Sequence, residues 1–106
     1  MNVSRSAARL NWLPADATNI SYRRGGAFDP MPLAVELDIG EQSFRDWARD
    51  QGWQLAQGER RAYRYDFSLR AIDRALWYTH MTSPDSGVHA VYDLDAGRAY
   101  YHSHSR

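Results

Sequence analysis

The chain has 106 residues, 43% of them hydrophobic and 25% charged, enough for one core and far from the composition of a disordered chain. Thirteen basic and thirteen acidic side chains cancel, so no global field draws nucleic acid or an anionic membrane, and any such binding has to come from a local patch. All thirteen bases are arginine and cysteine is absent, which excludes lysine Schiff bases, thiol nucleophiles, thiolate metal sites and disulfides.

Residues 1–12 mix Ser, Arg and Ala without periodicity, and Pro14 stops a helix from running through Leu13, so they read as a loose tail. Residues 17–23 alternate, with Ile20 and Tyr22 on one side, and form a first strand that Gly25 and Gly26 break. Leu33, Val35, Leu37 and Ile39 then alternate with Ala34, Glu36 and Asp38, the clearest strand in the chain. The period changes at Phe44, Trp47, Ala48 and Gln51, whose spacing predicts a helix from about Glu41 to Gln51. Asp38 and Glu41 have the spacing of a capping box, and Gly52 is placed to end the helix in a left-handed conformation.

Trp53 and Leu55 suggest a short extended return before Gly58, and Tyr63, Tyr65 and Phe67 alternate with Arg64 and Asp66 as a strand would. Residues 68–74 fit a loop or a single helical turn, and residues 75–82 are rich in β-forming side chains. Turn chemistry over residues 83–87, and again at Asp93, Asp95 and Gly97, separates two further strands around Val88 to Tyr92 and Ala99 to Tyr101. The expected fold is a single α+β domain over residues 1–106: one amphipathic helix packed on an antiparallel sheet of about five strands, ending in a C-terminal meander. No apolar run is long enough to span a membrane, and residues 1–10 lack the apolar stretch of a signal peptide. A soluble protein with no membrane partner is expected, cytoplasmic or secreted after loss of a leader.

Three groups of residues, Leu13-Pro14-Ala15-Asp16-Ala17-Thr18-Asn19-Ile20, Phe44-Arg45-Asp46-Trp47-Ala48 with Gly52-Trp53, and Tyr92-Asp93 with Gly97-Arg98-Ala99-Tyr100-Tyr101, resemble a family of small uncharacterised bacterial domains. The resemblance spans most of the chain. It implies an extended first segment, a helix and a closing hairpin, and it brings no activity, catalytic residue or cofactor.

All four histidines, His80, His89, His102 and His104, fall in the last quarter of the chain. His102 and His104 share one face of a strand. If the last turn pairs Tyr92 with Ala99, then Val91 faces Tyr100 and His89 faces His102, so that His89, His102 and His104 become candidate metal ligands. A slip of one residue destroys that arrangement. The competing reading is a polar strand end whose histidines act separately.

Arg60, Arg61, Arg64, Arg70 and Arg74 interleave with Tyr63, Tyr65, Phe67, Trp77 and Tyr78, a pattern that suits single-stranded nucleic acid or another polyanion. Half-buried strands with outward arginines are the stronger reading of it, and the zero net charge disfavours nucleic acid. No nucleophile elbow accompanies the Ser, His and Asp residues, Asp93 and Asp95 read as turn residues, and Gly25-Gly26 lacks the spacing of a phosphate loop. Trp47 and Trp77 are assigned to the core, and Trp12 and Trp53, at element edges, to a partner-binding surface. The leading functional expectation is a non-enzymatic protein-binding or interaction module, with self-association allowed and no cofactor. Its alternatives are a metal-binding or histidine-dependent enzyme using the C-terminal histidines, and polyanion binding through residues 60–78.

Overall fold

In the computed structural model, residues 12–24, 32–84 and 86–104 are described; most of the expected tail, the Gly25-Gly26 turn and Asp85 lie outside them. In chain order the elements are β1 (Thr18–Arg24), β2 (Leu33–Asp38), α1 (Glu41–Gln51), β3 (Ala56–Tyr63), β4 (Leu69–Ser83), β5 (Ser86–Asp93) and β6 (Arg98–His104). The strands form one antiparallel sheet in the order β1-β2-β6-β5-β4-β3. Among the described residues no helix is long and apolar enough to cross a membrane.

This corrects the expected α+β class with about five strands: the domain is sheet-dominated, with six strands and a single 11-residue helix among the described residues. The error lies in β3 and β4. Of the alternating Tyr63, Tyr65 and Phe67, Tyr63 ends β3, whereas Tyr65 and Phe67 belong to a hairpin tip closed by the Arg64 N–H to Ser68 carbonyl bond of 2.7 Å, with Phe67 at a positive φ of 67°. The strands flank that tip instead, with β3 running through Gly58 and β4 absorbing residues 69–74. Both carry charges because alternate residues, such as Gln57, Glu59 and Arg61, face water. An apolar count therefore misses them.

Helix α1 buries Phe44, Trp47 and Ala48 against one face of the sheet, where Leu33, Val35, Leu37, Leu76, Tyr92 and Ala99 form the main core. Phe44 is fully buried and stacks on Tyr92 at 4.9 Å, a burial that contributes about 1.5–3 kcal/mol. Gly52 ends the helix as expected, at φ 78°, with its N–H bonded to the Arg49 carbonyl at 3.1 Å. The capping box does not form. Gly40 is the N-cap without a side-chain bond, and Asp38 is held by Asn19 and Arg98.

The opposite face is covered by the sheet's own β3-β4 hairpin. A register shift between Gly58 and Arg60, with Gly58 at φ 147°, bends both strands. Ala62 and Ile72 thereby reach Val91 and Tyr100, although β3 stands at the far edge of the sheet from β6. The hairpin tip continues to β2. There Glu36, 1% exposed, accepts bonds from Arg64 Nε (3.2 Å), the Tyr65 N–H (3.0 Å) and Arg98 Nε (2.8 Å).

Candidate metal centre

The closing hairpin adopts the register that brings the histidines together: Tyr92 faces Ala99, Val91 faces Tyr100 and His89 faces His102. His104, two residues beyond His102, emerges on the same face. The His89 and His104 rings are nearly parallel at 9°, with their Nε2 atoms 3.2 Å apart. One ring nitrogen from each of His89, His102 and His104 lies within 4.8 Å of the other two. Around a tetrahedral ion with N–metal distances of 2.0–2.1 Å, ligand nitrogens are roughly 3.3 Å apart. The His89 and His104 pair already stands at that spacing.

Burial acts on the protonation of His102 and His89. His102 is 8% exposed, and desolvation, followed by the neighbouring His104 and His89, lowers its pKa to about 4. Desolvation, His104 and Arg60 push His89 below its ordinary value as well. Neutral imidazole is the form that binds a metal.

Two residues of the hairpin region orient His89. Thr79 lies opposite it across β4 and β5, with Oγ1 3.2 Å from Nδ1, and Arg60 donates to the same Oγ1 at 2.8 Å. The Arg60 guanidinium is itself fixed 4.1 Å above the Trp77 ring. A threonine oxygen has two lone pairs, so it can accept from Arg60 and from His89 together; in the tautomer that carries the proton on Nδ1, the Nε2 lone pair of His89 is directed at His104. Nδ1 of His102 is buried with no hydrogen-bond partner among the described residues, beneath the Tyr63 ring at 4.3 Å. An orphaned buried nitrogen costs about 1–3 kcal/mol, which an ion or a bound water relieves.

A cavity of about 630 Å³ opens beside the cluster, walled by His89, His102, Tyr63, Ile72, Val91 and Tyr100. Besides an apolar wall and two imidazoles it is lined by Glu59, Arg60, Arg61 and Asp73, and it has room for a small ligand next to a bound ion. His80 is exposed and outside the cluster.

The other sequence candidates have different surroundings. Trp12 and Trp53 are half-buried on the helix side: Trp12 lies 4.8 Å from Tyr101 and 5.9 Å from Trp47, and Trp53 stacks on Tyr78 at 5.8 Å. Arg60, Arg64 and Arg74 are engaged with Thr79, Glu36 and Asp95, and Arg70 lies 4.0 Å from Asp93. Asp93 caps its own turn by accepting from the N–H groups of Asp95 and Ala96. Thr79, the orienting role of Arg60 and the buried Glu36 escaped the sequence reading. Their signal is the pairing of β4 with β5 and of the hairpin tip with β2, which no local pattern carries.

No protein-family model, curated protein or solved structure matches the chain. The resemblance to small bacterial domains therefore rests on the three sequence segments alone.

Proposed function

We propose that this chain is a metal-binding domain in which His89, His102 and His104 hold one transition-metal ion, with the adjoining cavity admitting a small ligand to the ion's remaining position. The observation that carries the reading is the convergence of three imidazole nitrogens within 4.8 Å of one another, two of whose rings, His89 and His102, line a cavity. The Thr79 and Arg60 bonds add the second layer that metal-ligating histidines require. Three protein ligands with one open position is the pattern of metal sites that bind exchangeable water or substrate.

Calorimetric titration of the metal-free protein with Zn²⁺, with metal analysis after gel filtration, tests it. The expected result is one equivalent bound by the wild type and none by a His102→Ala, His104→Ala double variant that keeps its far-ultraviolet circular dichroism. Absence of uptake by the wild type, or equal uptake by both, overturns the proposal.

A second reading, a protein-interaction module, is supported by the hairpin tip, where Tyr63, Tyr65 and Leu69 are 38%, 37% and 54% exposed. Tyr63 and Leu69 pair across the hairpin, so the side chains form one patch. Sedimentation equilibrium should then show self-association that Leu69→Asp weakens. A monomer at every concentration removes self-association from this reading.

A further inference from the structure

One side chain on the histidine face is unaccounted for by three imidazoles. Met81 pairs with Gly87 across β4 and β5, and Gly87 pairs with His104 across β5 and β6. These three residues make the next row after Thr79, His89 and His102, on the same face of the sheet. Met81 extends its side chain over Gly87: a methyl group at position 87 would overlap Met81 Sδ and come within 3.3 Å of its Cε. Because position 87 is glycine, no side chain stands in this row between the thioether and His104. The Met81 and His104 backbones stand two strand spacings apart, about 10 Å, and the Met81 side chain reaches across β5 between them. Met81 is 44% exposed, and an unbranched thioether adjusts readily to a nearby centre.

We infer that the ion held at this site is copper in the cuprous state, with the Met81 thioether completing a set of three imidazoles and one sulfur. The inference rests on the metal-binding reading above and adds the identity of the ion. Two features of the site favour it. Thioether sulfur is a soft ligand that selects Cu(I), whereas it adds little to Zn²⁺. Among the described residues the cluster contains no carboxylate, and its imidazole and thioether ligands are neutral. The buried carboxylates of this face are committed, Glu36 to Arg98 and Arg64 and Asp93 to Arg70 and the N–H groups of its own turn, and Glu59 and Asp73, which line the cavity, are exposed to water. A monovalent ion therefore brings half as much uncompensated charge into a partly buried site as a dication does.

The test compares the full-length wild type with Met81→Leu, which keeps the side chain's bulk and removes its sulfur. Cu(I) affinity is measured under anaerobic reductant by competition with bathocuproine disulfonate, Zn²⁺ affinity by calorimetry, and the Cu(I) coordination shell by X-ray absorption. Met81→Leu should weaken Cu(I) binding by about tenfold or more while changing Zn²⁺ binding less than about threefold. The wild-type spectrum should contain one sulfur scatterer that the variant lacks. If both metals bind through the histidines but no sulfur appears and Met81→Leu changes nothing, the copper inference falls and the metal-binding reading stands. If the wild type binds neither ion, both fall.

Discussion

The two faces of the sheet are covered by different means. Helix α1 covers one with large apolar and aromatic side chains, and Phe44, Leu37 and Val35 are almost completely excluded from water. The bent β3-β4 hairpin covers the other with a small core of Ala62, Ile72, Ala75, Val91 and Tyr100, and leaves a cavity, a buried glutamate and three histidines. A helix brings its apolar stripe as a unit and fills the space beneath it. A two-stranded hairpin covers less and keeps polar atoms close to one another, which is what a binding site needs.

If that division is right, the helix face answers to lost volume and the hairpin face to lost donors and ligands. The largest effect is expected for Phe44→Ala, which should cost about 3–5 kcal/mol in urea unfolding. A cost below about 1 kcal/mol would mean that the helix face is not the stabilising one. Next comes the metal: at a concentration one hundred times its dissociation constant, the ion should stabilise the wild type by about 2.7 kcal/mol in thermal unfolding. The His102→Ala, His104→Ala variant should show no such gain, and Phe44→Ala should retain it.

Glu36→Gln should cost about 2 kcal/mol, because Arg98 and Arg64 lose a charged partner but both still reach water. The same carboxylate sets an acid limb. Burial opposes its charge, yet the bonds from Tyr65, Arg98 and Arg64 outweigh burial and hold its pKa below the ordinary 4.5. The unfolded chain therefore takes up this proton first as the pH falls. Stability from the network is complete above about pH 4.5 and is lost as the pH drops through the lower folded value. Urea unfolding as a function of pH should show a steeper acid loss in the wild type than in Glu36→Gln; equal slopes would remove Glu36 as the cause. The smallest effect belongs to the helix surface, where Arg45→Ala breaks an exposed pair with Glu41 and should cost at most about 0.5 kcal/mol by the same unfolding measurement. A larger loss would show that the helix face depends on charge as well as volume.

Parts of both faces were legible in the residues. β2 and α1 announce themselves because each places apolar side chains at its own period against one deep core, and Gly52 supplies the left-handed stop that the chain requires there. The approach of His89 to His102 was legible only as a condition on the register of the closing hairpin, and the pairing of Tyr92 with Ala99 meets that condition. β3 and the first half of β4 were hidden, since they pair along polar edges and the tip residues Tyr65 and Phe67 continue the alternation of Tyr63 past the end of β3.

By itself, then, the sequence determined one helix, a C-terminal meander and the shared strand face of His102 and His104, all of which depend on contacts between residues near in the chain. Only the tertiary structure decided that the hairpin bends at Gly58 over that face, that Arg60 and Thr79 orient His89, and that Met81 lies across Gly87 toward His104. Those contacts join strands through their register and through a bend, and neither quantity is encoded in the alternation of any one strand.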